Sequence, residues 1–346
     1  MPFFLVSILL SALIATHFPL SAAAQETSPP PRYTPPGRRI DVGGRWLHLL
    51  CSGKGGPTVV LEAGAGDFSL DWSYVQPGVA RFTRVCSYDR AGFAWSDPGP
   101  QPRTSRQLAL ELHTGLHKAG IKGPYVLVGQ SFGGFLVRAF ARYYPKEVVG
   151  MVLVDCLNTD SRVPIGNKAV RIRDTAQGRT APPPQDRIPH SNPSVTTSSS
   201  SAATISIDPL PSERAAIGPW LEKMHHWAEA QPGYGIAWQN EMDWSPEDVA
   251  DMYAHRDQPD YRLGDMPLIV LTRGQLGYET ELDIPSAQLE AERKAEQADL
   301  ARLSTNSKLM VAEKSGHNIQ YDNPDLVIDA IRQVVEAARH HGRLTQ

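Results

Sequence analysis

Cysteine is scarce in this chain: Cys51, Cys86 and Cys156 are the only three in 346 residues. None stands in a C-x-x-C spacing or beside a histidine cluster, so no cysteine-based metal site is expected. An excess of one charge sign is missing as well. Lysine and arginine number 34 against 37 acidic residues, a formal charge of −3, and no long basic run occurs. That argues against a dedicated nucleic-acid surface, whose affinity rests on neutralising phosphates. No internal repeat is visible.

The continuous apolar run "FFLVSILLSALIA" stands inside the first 24 residues and is shorter than the roughly 20 residues that span a bilayer. The stretch "PLSAAAQ" follows it, with Ala22 and Ala24 supplying the small residues a signal peptidase accepts. No Lys or Arg precedes the run and no cysteine marks the cleavage site, so a lipid anchor is not expected. Residues 1–24 read as a secretory signal cleaved after Ala24, the alternative being an uncleaved anchor. The expected product is secreted or periplasmic, with no stable membrane span. An exported chain can hold a disulfide, and an odd count leaves one thiol over.

A composition of 41% hydrophobic and 21% charged residues suits a sizeable globular core. The Pro-rich stretch 25–37 is a linker without prospect of a core. After it, "RRIDVGG" and "RWLHLLC" flank Gly43 and Gly44 as a hairpin. "PTVVLEA", "TRVCSYD", "PYVLVGQ" and "VVGMVLVDC" predict strands, "SRQLALELHTGLHKAG" and "FGGFLVRAFARYYP" helices. The alternation indicates a parallel sheet covered on both faces. It breaks over 157–264, where a polar Pro/Ser-rich stretch near 174–212 is expected to be disordered. Two amphipathic helices follow, each expected to be capped by a serine, Ser212 or Ser245. The rhythm returns with "MPLIVLTRG", a helix from Ser286, the strand "KLMVAEK" and a last helix opened by Asn323 and Pro324. The reading is one α/β domain, 38–156 and 265–342, interrupted by a helical cap insertion at 157–264.

Gly129-Gln130-Ser131-Phe132-Gly133 sits where a strand gives way to a helix. A G-x-S-x-G string there holds a serine on a turn too sharp for larger neighbours, with helix N–H groups beside its hydroxyl. A plain tight turn is the bland alternative. Of eleven histidines, His317 stands apart in the loop between the last strand and the last helix, a place suited to a general base. His113 and His117 share one helix face at i, i+4, but no carboxylate motif accompanies them.

"GQSFGG", "YDRAGFAWSDPG", "LEAGAG" and "SGHNIQ" together resemble the capped α/β-hydrolase superfamily, over residues 40–156 and 265–340. The resemblance implies a mostly parallel eight-stranded sheet with helices on both faces, in which Ser131 attacks an acyl carbon and His317 shuttles the proton. It implies an oxyanion hole from the backbone N–H groups of Phe132 and Ala65, with "EAGAG" standing where the family has His-Gly. The acid is open between Asp155, after the strand "MVLVDC", and Asp283, Glu279 or Glu281 in "LTRGQLGYETELD". The absence of the family's Gly-x-x-Asp pattern there favours Asp155. Asp89 and Arg90 read as bracing residues of a loop. The resemblance also makes Cys51 and Cys86 neighbours and predicts their disulfide, with Cys156 left reduced.

The resemblance therefore implies an exported serine hydrolase for a small-molecule carboxylic ester, without cofactor or metal. An amide or peptide bond on the same triad is the alternative, or a non-catalytic ligand-binding member of the fold. An epoxide hydrolase or dehalogenase would carry aspartate at position 131. Trp220, Trp227, Trp238 and Trp244 of the insertion either line a pocket beneath a lid or simply pack.

Overall fold

Apolar residues along the strands alternate between two hydrophobic layers, and that alternation fixes which face each helix covers. The structure, a computed structural model, describes residues 32–187, 204–206, 208–276 and 282–344. The expected signal at 1–24 lies outside those residues, as does much of the Pro/Ser-rich stretch. Eight strands form one sheet: β1 (Arg38–Asp41), β2 (Trp46–Ser52), β3 (Thr58–Glu62), β4 (Val85–Tyr88), β5 (Tyr125–Gln130), β6 (Val148–Val154), β7 (Leu268–Arg273) and β8 (Ser307–Ala312). Their spatial order is β1-β2-β4-β3-β5-β6-β7-β8. β2 runs antiparallel to β1 and to β4, and all other neighbours are parallel.

The main helices are α1 (Ser105–Lys118), α2 (Phe132–Tyr143), α3 (Arg214–Glu229), α4 (Tyr234–Ala254), α5 (Ser286–Ala301) and α6 (Pro324–His340). Val60, Leu127, Met151 and Val270 point to one layer, with Leu112 and Leu116 of α1 and Val137 and Phe140 of α2. Their strand neighbours Val59, Leu61, Val128 and Ile269 point to the other, against Trp72 and the Val327, Ile331 and Val334 stripe of α6. Burying one such side chain contributes about 1.5–3 kcal/mol, so these two layers dominate the stability of the domain. α6 opens as its sequence predicts, with the Asn323 side chain accepting from Leu326 N and Pro324 in the first turn.

The hairpin at Gly43 and Gly44 forms as expected. Both glycines have positive φ, 112° and 82°, and both N–H groups are held by the Asp41 carboxylate. Cys51 of β2 lies opposite Cys86 of β4 in the antiparallel register, and the two are joined as a disulfide. Closing a loop with a sequence separation of 35 removes unfolded-state freedom equivalent to about 4 kcal/mol. Cys156 is free and buried, and burial pushes its thiol up to about 11, which leaves it inert.

Between β6 and β7 the chain leaves the sheet to form a short hairpin (Arg162–Ile165 with Lys168–Arg171) and then α3 and α4. Two expectations are corrected here. Ser212 does not cap α3, whose first flanking residue is Glu213 with no side-chain bond. Ser245 does not open a helix either. α4 runs unbroken through Pro246, and the Ser245 hydroxyl donates to the Glu241 carbonyl inside it. An interior proline costs about 3 kcal/mol locally, but packing of Ala237, Val249 and Met252 against the domain overrides it. Within the polar stretch, the described part is docked: Gln185 exchanges two bonds with the Gln107 side chain, and Arg179 pairs with Asp243 and Glu247 of α4. Among the described residues no helix is long and apolar enough to cross a membrane.

The chain goes from β3 to β4 on one side, then to β5 on the other. That reversal opens a crevice at the carboxyl ends of β3 and β5, where open α/β sheets receive ligands. "LEAGAG" follows β3, and Ser131 follows β5.

Candidate active site

Ser131 occupies a backbone that side chains rarely adopt, φ 52° and ψ −120°, between the end of β5 and the start of α2. The turn is over-determined by its surroundings. Ser131 N donates to Val154 O, and Ser131 O accepts from Leu157 N and Gly134 N. The glycines are explained by close approach. A Cβ at Gly129 would fall 2.4 Å from the Gly133 carbonyl oxygen, and one at Gly133 would fall 2.4 Å from Glu62 O. Gly134, outside the five-residue string, is needed too, since its Cβ would meet the Cys156 sulfur at 2.3 Å. Strain of this kind persists only where the surrounding structure over-determines it, and it clusters at active sites.

His317 lies in the loop after β8 with its imidazole half-exposed, and its Nδ1 is 2.7 Å from Asp155 Oδ2. The Gln130 side chain, next to Ser131, reaches His317 O at 3.4 Å and Asn318 Oδ1 at 3.3 Å, tying this loop to the elbow. Asp155 follows β6 and also has positive φ, 40°. The structure thus brings Asp155 to His317. It turns Asp283 elsewhere, onto the hairpin of the insertion, where its carboxylate accepts from Ala169 N at 2.8 Å. Glu279 and Glu281 lie outside the described residues.

The Asp155 carboxylate has partners that local sequence patterns do not reveal. Arg273 Nη1 donates to Oδ2 at 3.0 Å, Arg273 N to Oδ1 at 3.2 Å and Arg293 Nη1 to Oδ1 at 3.1 Å. Glu290 pairs with both arginines, giving a buried cluster of two acids and two bases. Burial pushes the Asp155 carboxyl up, but the His317 hydrogen bond and the two arginines outweigh it and hold the group below its ordinary range. It is ionised at neutral pH, as an acceptor for an imidazole N–H must be.

The loop after β3 is shaped by Arg90. Its guanidinium donates to Ala63 O at 2.8 Å and Gly64 O at 2.7 Å, pairs with Glu62 and Glu241, and is fully buried. The peptide joining Gly64 to Ala65 is planar and trans, so with its carbonyl on Arg90 the Ala65 N–H points the opposite way. Phe132 N–H, at the first position of α2, has no intrahelical acceptor. Neither N–H finds another among the described residues. Asp89 braces the adjoining turns by accepting from Ser69 N and Trp95 N.

Burial pushes the Glu62 carboxyl up to about 7 against the pull of Arg90 and the Tyr88 hydroxyl. The folded chain therefore holds this proton more tightly than the unfolded one, whose glutamate titrates near about 4.3. Stability from this group is fully present below that value and declines as pH rises towards 7. Chemical denaturation at pH 5 and pH 8 should show the wild type losing on the order of 2–3 kcal/mol from this source. Glu62→Gln should remove that part of the pH dependence.

The tryptophans separate. Trp220 and Trp227 are buried with Phe68, Leu70 and Trp95, and Trp244 lies under the Arg179 guanidinium. Trp238 is exposed and lies against Gly66, whose carbonyl accepts from the Tyr234 hydroxyl of α4.

Comparison with known proteins agrees with this architecture. A model of the alpha/beta hydrolase family matches residues 59–330. A protein of Gibberella zeae described as an AB hydrolase superfamily protein is 22% identical over 320 residues, 82% of this chain and 87% of that protein. A probable transporter of Hormonema carpetanum, efuK, is 35% identical over 136 residues, but the chain spans only 20% of its length. Among solved structures, a thermophilic esterase from Thermogutta terrifontis shares the fold at 20% identity and a TM-score of 0.54, over 87% of this chain and 98% of the esterase.

Proposed function

This chain belongs to the alpha/beta hydrolase family, and on that premise we propose that it is a hydrolase that cleaves a small carboxylic ester through Ser131, His317 and Asp155. In this reading Ser131 Oγ attacks the carbonyl carbon and passes its proton to His317 Nε2. The oxyanion accepts hydrogen bonds from the Ala65 and Phe132 N–H groups. Collapse breaks the ester C–O bond, and His317 returns the proton to the departing alcohol. Water, deprotonated by His317, then attacks the acyl carbon and releases the acid with Ser131 restored. Asp155 keeps the His317 proton on Nδ1, so that Nε2 is free to act as base.

The observation that carries this reading is the 2.7 Å contact from His317 Nδ1 to a buried carboxylate, in a loop bonded to the residue before Ser131. An ester is favoured because it needs only a nucleophile, a base and an oxyanion site, all available from these residues. Export is proposed with it. The apolar run before Ala24 suggests it, and a disulfide between Cys51 and Cys86 suits an oxidising compartment.

A fluorophosphonate probe tests the assignment directly, because it phosphonylates only an activated serine. Wild type is expected to label, and Ser131→Ala to be blank. Labelling that persists in S131A would place the nucleophile elsewhere.

A further inference from the structure

We propose that His113, His117 and Glu147 form a binding site for one divalent transition-metal ion of the zinc class, on the side of the domain away from Ser131. The two histidines are one turn apart on α1, and residues spaced i and i+4 share a helix face. The missing carboxylate comes from a distant part of the chain, the turn Pro145–Glu147 between α2 and β6. His113 Nε2 is 2.9 Å from Glu147 Oε1, and His117 Nε2 is 3.1 Å from Oε2. The donor atoms of all three residues lie within 4.8 Å of one another.

Two imidazole nitrogens and one carboxylate oxygen are a donor set that zinc takes, with water completing a tetrahedron. Metal–ligand bonds of about 2.0–2.2 Å put neighbouring donors of a tetrahedron about 3.3–3.6 Å apart. The present N···O separations, each to a different oxygen of the carboxylate, lie within a few tenths of an ångström of that spacing, so a small adjustment of the Glu147 side chain brings both imidazoles and one oxygen around a single ion. The His113 ring is held in place by stacking on Tyr144, centroids 4.0 Å apart and planes within 6°. His117 is half-exposed, which leaves an entry path from solvent. Binding would replace the protons that the imidazoles now share with Glu147. It would also clamp α1 to the segment that feeds β6.

Glu147 immediately precedes β6, at the amino edge of the parallel strands, whereas Ser131 follows β5 at the carboxyl edge. The ion would therefore act on stability and not on hydrolysis, which separates this proposal from the one above.

Tag-free protein titrated with Zn²⁺ by calorimetry, and with Co²⁺ by visible absorption, tests it. The expected result is one saturable site per chain and a higher unfolding temperature with Zn²⁺. His117→Ala and Glu147→Gln should each bind more than about 100-fold more weakly, beyond the roughly 10–100-fold that losing an outer partner of a ligand costs. Their labelling by the fluorophosphonate should be unchanged. A His340→Ala/His341→Ala variant, lacking the two histidines at the end of α6, should bind as wild type does. The proposal is overturned if no stoichiometric binding occurs, if H117A and E147Q bind normally, or if binding is lost with His340 and His341.

Discussion

Ser131→Ala is expected to lower kcat on an activated aryl ester by about 10⁴- to 10⁶-fold, and His317→Ala by a similar factor. A serine hydroxyl is a poor nucleophile unless a base takes its proton as it attacks, so either substitution removes the whole covalent route. The double variant should therefore be no slower than the singles. Additive losses would mean that the two residues act in separate steps. Residual turnover should still exceed the rate in water, because the N–H groups of Ala65 and Phe132 belong to the backbone and survive both changes. The measurement is initial rate with active-site titration, so that trace wild-type enzyme is not counted as residual activity. A near-wild-type rate from either variant removes that residue from the chemistry.

Asp155→Asn should cost about 10⁴-fold in kcat while leaving KM nearly unchanged. The shape at the site is kept, but an amide N–H₂ facing His317 Nδ1 favours the tautomer with its proton on Nε2, which cannot act as base. Asp283→Asn, whose side chain meets the Ala169 N–H and not the imidazole, is the control and should stay near wild type. If the D283N rate collapses and D155N survives, the acid is misassigned. Asp155 also receives two guanidinium groups, so D155N leaves buried positive charge less well paired. Some loss of stability is expected, of the order of a few kcal/mol for breaking buried pairs. The kinetic comparison must therefore be made on the folded fraction.

The sequence makes the elbow at Ser131 legible because its constraint is local. Gly129 and Gly133 are dictated by collisions that arise wherever a strand turns at once into a helix. The strands are equally readable, since burial on both faces writes itself as unbroken apolar runs. The acid was readable only as a choice. Asp155 and Asp283 both follow strands, and the missing Gly-x-x-Asp pattern tilts the choice to Asp155 without saying which carboxylate turns towards His317. That depends on the positive φ at Asp155 and on the insertion hairpin that engages Asp283. Arg273 and Arg293 are invisible in the same sense: Arg293 meets Asp155 across 138 positions of chain. Arg90 could be placed in a bracing loop but not on the carbonyls of Ala63 and Gly64, because that contact exists only once β3 and β4 are paired. His113 and His117 show the same limit. A search along the chain for an accompanying acid stops short of Glu147, which the fold supplies.

The buried pair of Arg90 and Glu241 has a mechanical consequence. It joins the loop after β3 to the middle of α4, with both side chains sealed from water. The exposed indole of Trp238 stands on the same helix, beside Gly66 of that loop. Any swing of α4 must break this pair or carry the loop with it, so the helix and the loop that bears the Ala65 N–H move together.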